Sequence, residues 1–285
     1  MSVIKEFFFI LAQFLLPHHM LSRLIGFLAN CRWPWFKNTL IKWFISTYDV
    51  NMEEAAEPNP QAYASFNNFF TRALKPDARE FPEHKQDVAC PADGAISQVG
   101  DIENGRIFQA KGHNFSTREL LGGSQKLAAQ FEEGKFITIY LSPKDYHRVH
   151  MPLTGELKQM IYVPGRLFSV SPLTTNQIPR LFARNERMVA LFETAQGPMA
   201  VILVGAMIVA SIETVWAGPV TPPKRQLHNF QYGEAIKLDR GDEMGQFKLG
   251  STAIVLFGKD MISWDEKLQA DQPVKLGEIL GKLDA

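Results

Sequence analysis

Cysteine is nearly missing from this chain: Cys31 and Cys90 are the only two among 285 residues. They lie far apart and match no metal-ligand spacing. That argues against a disulfide-built secreted fold and fits a reducing compartment, with both thiols expected to be buried bystanders. An excess of either charge is missing as well. Thirty basic and thirty acidic side chains give a formal net charge of zero, so the overall basic footprint of a nucleic-acid binder is absent. The sequence holds no repeat, low-complexity segment or charge run. A signal peptide is poorly supported, because no small-x-small cleavage site lies near Pro17 and there is no basic leading segment beyond the chain start and Lys5. That stretch, residues 3–16, reaches only about 21 Å as a helix at about 1.5 Å per residue, short of the roughly 30 Å hydrocarbon core. It is expected to lie on a membrane rather than span it.

What is present is an ordinary globular composition, 46% hydrophobic and 21% charged, long enough for one large domain or two small ones. The first 50 residues are the exception. They hold Trp33, Trp35 and Trp43 of the five tryptophans and seven of the 21 phenylalanines, with Lys5, Arg23, Arg32, Lys37 and Lys42 against Glu6 and Asp49. Aromatic rings that settle at headgroup depth, beside cations that meet anionic lipid, are what an interfacial anchor needs. The competing reading is a helical subdomain packed on the core or on a second subunit. Residues 53–60, polar and proline-bearing, read as a linker, so residues 1–52 are taken as a membrane-association region and residues 53–285 as a second, β-rich domain that would carry any chemistry.

Beyond the linker a helical segment is expected around Ser65 to Leu74. Short β-type runs follow: Ala95–Val99, Arg106–Ala110, Phe136–Leu141, Gly155–Val163, Met188–Glu193, Met199–Val204, Ile208–Val215, Gly245–Leu249 and Thr252–Phe257. Ser116 three residues before Glu119 is a capping-box signature, predicting one or two short helices between Ser116 and Gly134. The fold class is therefore α+β, with N-terminal helices on a mainly antiparallel β-rich domain.

Three polar constellations stand out. Ser142 to Pro152 is the densest and contains His147 and His150. With Ser142 as cap and Pro143 at the first helical position a short helical turn is expected, which would put the two imidazoles on one face; on a strand they would face opposite sides. A metal pair competes poorly, since zinc needs at least a third protein ligand and His113, Asp93 and Asp145 show no ligand spacing. Pro91-Ala92-Asp93-Gly94 reads most simply as a turn. Gly250-Ser251 precedes an apolar strand and by itself reads as a turn entering it. Asp93, His150 and Ser251 together could form a triad in which Asp orients the imidazole and the imidazole takes the hydroxyl proton. Ser251 lacks the Gly-x-Ser-x-Gly elbow of a hydrolase, which weakens a Ser-His-Asp membrane hydrolase. A non-catalytic lipid-binding β module is the third reading. Residues 162–168 read either as a β-turn or as a second lipid contact.

Leu249-Gly250-Ser251-Thr252, Asp145-Tyr146-His147-Arg148-Val149-His150-Met151-Pro152, Pro91-Ala92-Asp93-Gly94, Phe66-Asn67-Asn68-Phe69-Phe70-Thr71-Arg72, Ala183-Arg184-Asn185-Glu186-Arg187 and Ile212-Glu213-Thr214-Val215-Trp216-Ala217-Gly218 resemble, in order and over nearly the whole chain, the motif series of bacterial phosphatidylserine decarboxylase proenzymes. The resemblance implies self-cleavage between Gly250 and Ser251 into a β chain, residues 1–250, and an α chain, residues 251–285. Ser251, deprotonated by His150 with Asp93 behind it, would attack the Gly250 carbonyl and convert amide to ester. Elimination would leave dehydroalanine, then an imine, then a pyruvoyl group with loss of ammonia. That covalent pyruvoyl cofactor would form a Schiff base with phosphatidylserine and take up the electrons released with CO2, giving phosphatidylethanolamine. His147 is similar to the family histidine at the substrate, expected to contact the phosphate and move a proton. The resemblance further implies an α–β heterodimer, a homodimer of that unit, partnership with phosphatidylserine and anionic lipid but not nucleic acid, and a peripheral place on the cytoplasmic face of the cell membrane. No metal is implied.

Overall fold

The structure is a computed structural model that describes residues 3–207, 211–220, 226–232, 234–248 and 251–284. The first helix, α1 (Val3–Leu15), is broken from α2 (His18–Ala29) by Pro17, with a 93° bend between them. Proline inside a helical run removes a hydrogen bond and clashes with the preceding turn. Among the described residues no single helix is long and apolar enough to cross a membrane, though this bent pair qualifies jointly by length and composition. Helix α3 (Pro34–Tyr48) starts with Pro34 in its first turn and ends on Asp49 in the left-handed conformation, φ 54°, where the Asp49 and Val50 amides both donate to Ile45 O and close the last turn. The expected helix from Ser65 is a short α4 (Phe66–Phe70), capped by the Ser65 hydroxyl, which accepts from the Asn68 amide.

Among the described residues nine strands form the large sheet. Its centre comprises β1 (Gly94–Asp101), β2 (Lys135–Leu141), β4 (Gly155–Val163), β5 (Arg187–Thr194), β6 (Gly197–Gly205) and β9 (Ser251–Phe257), in the spatial order β4-β5-β6-β9-β2-β1. Every pairing in it is antiparallel. A smaller sheet contains β3 (Arg148–His150), β7 (Ser211–Thr214) and β8 (Glu243–Lys248), with β8 between the other two. The expected strands are present with ends shifted by a residue or two; residues 208–210 and 249 of two of them lie outside the described residues.

Strand β9 explains why its sequence is apolar without alternation. Ala253, Val255 and Phe257 enter one hydrophobic cluster with Ile137, Ile139 and Leu203, while Ile254 and Leu256 enter another with Phe136, Ile202 and Val204. A strand covered on both faces has no polar side to show. The capping box is formed, Ser116 and Glu119 each bonding the other's backbone at the start of the helix Thr117–Leu120, and a second short helix, Gln125–Ala128, follows. The segment expected to be a linker is stitched down: Ala56 donates to Ala73 O, Lys75 to Glu54 O, and Glu54 pairs with Arg79. Cys90 is buried, but Cys31 is only half-buried.

Residues 162–168 do not offer a second apolar contact to lipid. Leu167 and Phe168 are buried, and Phe168 is the seat on which α1 and α2 rest through Phe14 at 5.3 Å and His18 at 5.6 Å between ring centroids.

Candidate active site at one end of the sheet

Register places the candidate residues at one end of the large sheet. Ser251 opens β9 and pairs with Leu141 at the end of β2 and with Gly205 at the end of β6. One step further in, Ala95 of β1, Tyr140 and Thr252 share a row. With neighbouring strands about 4.8 Å apart, the start of β1 lies roughly 10 Å from Ser251 across the ladder. Asp93 immediately precedes β1. Gly250 lies outside the described residues.

Asp93-Gly94 is not an isolated turn but a bend leading straight into β1. Glycine is required at its second position, because a Cβ there would sit inside the van der Waals envelope of the Tyr140 carbonyl oxygen across the ladder. The Asp93 carboxylate accepts from Arg79 through both oxygens, the Nε–Oδ1 contact being 3.0 Å, and from the Leu276 amide at 2.9 Å. Arg79 also holds Glu54 at 2.7 Å.

The loop after β2 carries the histidines, and it is not helical. The Asp145 carboxylate accepts the Ser142 amide at 2.7 Å, closing a turn over Pro143 and Lys144, and the chain is then drawn out along β8: Phe247 N–H donates to His147 O at 3.0 Å, and Arg148 and His150 pair with Gln246 and Glu243. Once the backbone is extended, residues three apart fall on opposite faces. The shared helical face expected for His147 and His150 is therefore replaced by two separate surroundings.

His150 is stitched to the Asp93 segment by its amide, which donates to Pro91 O at 2.8 Å. Its Nδ1 lies 2.8 Å from the Gly241 carbonyl, so Nδ1 carries the proton and Nε2 the lone pair, on which the Tyr146 hydroxyl donates at 3.1 Å. Burial pulls the imidazole pKa below its ordinary value, against the Gly241 bond and the nearby Glu243. Among the described contacts no hydrogen bond joins Asp93 to His150; the carbonyl of Gly241 takes the orienting position expected of the carboxylate. A fixed carbonyl selects the tautomer as well as an aspartate would, without its charge.

His147 is fully buried, with Nδ1 2.8 Å from Asp145 O and its ring 4.0 Å from that of Phe70. Nε2 has no partner. Burial, with the Arg72 charge acting in the same direction, pushes the pKa down to about 3. The ring is neutral at pH 7 and presents a lone pair at Nε2. The expected contact to a phosphate would need a hydrogen there.

Arg79, Tyr146 and Gly241 were not identified from sequence. Tyr146 stood inside the polar constellation, whereas nothing local marks Arg79 or Gly241. Among the described residues no three His, Cys, Asp or Glu side chains are grouped to hold a metal ion. Two open clefts, about 440 and 850 Å³, are lined by Pro198 and Met199 and by Gly155 and Thr194, at the opposite strand ends from Ser251. The candidate chemistry is not in them.

Fold and site together define a class: an α+β protein with apolar N-terminal helices and an antiparallel sheet, and buried neutral imidazoles where a central strand begins. Comparison with known proteins makes the class specific. A family model described as phosphatidylserine decarboxylase matches residues 66–282, and a second, described as PSD, matches residues 8–49. The chain is 61% identical over 282 residues to a phosphatidylserine decarboxylase proenzyme of Pseudomonas putida strain GB-1, covering 98% of each chain. It is 62% identical over 280 residues to that of Pseudomonas aeruginosa strain LESB58, covering 97% of each. The chain belongs to the phosphatidylserine decarboxylase family.

Proposed function

We propose that the protein is a carboxy-lyase that converts phosphatidylserine to phosphatidylethanolamine and CO2, and that it matures by cutting itself between Gly250 and Ser251. The observation that carries the self-cleavage reading is the position of Ser251 at the head of a strand held on both sides. Ladders to β2 and β6 run the length of β9, so residues 251–285 would stay attached to residues 1–250 as a heterodimer after the cut.

The residues fit a pyruvoyl group made from Ser251. Two buried polar atoms without partners, His147 Nε2 and Thr252 Oγ1, belong to the loop and strand that meet there, as expected where a group formed later will need them. In maturation His150 is the base. Its Nδ1–H is held by Gly241, and Ser251 has to displace the Tyr146 hydroxyl to deliver its proton to Nε2. Oγ then bonds to the Gly250 carbonyl carbon, the amide nitrogen leaves with a proton, and removal of the Ser251 α-hydrogen expels the Gly250 carboxylate. Water replaces the nitrogen, which departs as ammonia.

The pyruvoyl carbonyl supplies an electrophile for the substrate amine and a sink for the electrons that CO2 leaves behind. His147 handles the proton. With the negative charges of the substrate bound beside it, its Nε2 takes up a proton and delivers it to Cα after CO2 departs. A ring with so low a pKa is a strong acid once protonated, which favours the delivery. Asp93, anchored by Arg79, holds the segment that receives His150.

Residues 1–52 form the membrane-association region and residues 53–285 the catalytic part. Helices α1–α3 dock peripherally on anionic lipid at the cytoplasmic face, where the substrate headgroup lies, and two heterodimers pair as a homodimer. Intact mass under denaturing conditions tests the reading: active protein is expected as two chains, the smaller being residues 251–285 without a free amino terminus. Ser251→Ala is expected to remain one chain and inactive. Active protein consisting of one full-length species would overturn self-cleavage, and a Ser251→Ala protein that is inactive while the wild type is also uncut would point to a hydrolase.

A further inference from the structure

Arg72 ends the motif Phe66 to Arg72 and has no part in the chemistry above. Its side chain is 4% exposed. Nη2 donates to Lys144 O at 3.0 Å and the guanidinium lies 5.6 Å over the Phe69 ring, but Nε and Nη1 are buried without partners. Among the described residues it makes no ion pair; Asp93, Asp145 and Glu54 act on it only through space. A guanidinium keeps its charge in any protein environment. A buried charge with unfilled donors is costly and calls for a partner that arrives later.

Its place tells what that partner is. Arg72 and His147 grip the same loop, one at Lys144 O and the other at Asp145 O. Phe70, two residues before Arg72, packs against the His147 ring at a tilt. So an unsatisfied cation and an unsatisfied lone pair flank one loop beside the head of β9. Neutral His147 cannot hold an anion with its lone pair, whereas Arg72 can.

We propose that Arg72 binds the phosphodiester of the phospholipid substrate, an assignment that rests on the decarboxylase reading. The substrate offers two anions, and the chemistry separates them. The serine carboxylate loses its charge as CO2 forms, so a cation on it would hold the ground state more tightly than the transition state and slow the step. The phosphodiester keeps its charge throughout, and a guanidinium on it anchors substrate and product alike.

The test uses the mature enzyme and its Arg72→Gln and Arg72→Lys variants, measuring chain pattern by denaturing mass, kcat and KM on phosphatidylserine in mixed micelles, and inhibition by phosphatidylethanolamine, which has the phosphodiester but no carboxylate. Arg72→Gln is expected to cleave normally, to raise KM and weaken product inhibition together by about 100-fold, and to change kcat far less. Arg72→Lys should recover roughly tenfold of that loss, keeping the charge but not the planar fork. A rise in KM with product inhibition unchanged would move Arg72 to the carboxylate and overturn the proposal. So would unchanged KM and inhibition, or failure of both variants to mature, which would make Arg72 a support for the loop. An uncut wild type would instead defeat the decarboxylase reading itself.

Discussion

Helices α1 and α2 and strand β9 are built from the same apolar side chains, turned in opposite directions. In β9, Ala253 to Phe257 are wholly buried. In the helices, Ile4, Phe7, Phe8, Leu15, Met20 and Phe27 are more than 60% exposed, and the residues turned inward include Gln13, His18 and Ser22. Gln13 Oε1 accepts the Ser169 amide at 2.8 Å, and Arg184 lies 4.8 Å over Phe168 beneath the helices. Relative to water this arrangement is inside out. An apolar side chain gains about 1.5–3 kcal/mol on leaving water, so a row of exposed phenylalanines gains most where the medium outside is not water. Trp33, Trp35 and Trp43 continue the exposed face along α3. Apolar content alone therefore does not say where a side chain goes; the environment opposite it does.

The same kind of substitution should give opposite results in the two regions. Val255→Asp places an unpaired carboxylate in the doubly covered strand and is expected to cost about 5 kcal/mol, enough to abolish a cooperative urea transition. A folded Val255→Asp protein would break the contrast.

Acid should act on the sheet end and spare the helices' outer face. In the unfolded chain His147 titrates near its ordinary pKa, about 6.5, but in the folded chain only near 3. Below pH 6.5 the unfolded chain takes up a proton that the folded chain refuses. The stability is therefore complete above that value and falls as pH drops toward 3, by on the order of 3 kcal/mol at pH 4. Burial lowers His150 and His18 as well, in the same sense. Urea midpoints from pH 7 to 4 check this, and a His147→Gln variant should show a shallower fall.

The smallest effect on folding should come from Phe27→Asp, at a position 76% exposed. Its unfolding free energy from urea titration should change by no more than about 0.5 kcal/mol. Binding to anionic vesicles, measured by co-sedimentation, should weaken roughly 30-fold, the worth of one aromatic side chain removed from lipid. Unchanged vesicle binding would mean that this face is covered by something other than a membrane.

Strand Gly155–Val163 was legible to the residue, and β9 nearly so, because burial leaves a direct trace in side-chain type. The loop Ser142 to His147 carries helix-start signals yet is not helical. Its cap and proline signals are local, and they lost to the ladder that β8 offers from about a hundred residues further along the chain. The candidate residues Asp93, His147, His150 and Ser251 could be selected from motifs, but their partners could not. Gly241 is 91 positions from His150, and a glycine carbonyl has no side chain to announce it. Arg79 sits 14 residues before Asp93 in a segment with no pattern of its own.

By itself the sequence determined the α+β class, the apolar N-terminal region, the apolar strand β9 and the family. All of these are written in composition, periodicity and motif order along the chain. Only the tertiary structure decided that His147 and His150 occupy separate surroundings, that carbonyl oxygens rather than a carboxylate set their tautomers, that Asp93 is bound to Arg79, and that Arg72 is buried with donors to spare. A hydrogen bond has its strength from distance and direction between groups, and when the groups are far apart in sequence those quantities exist only once the chain has folded.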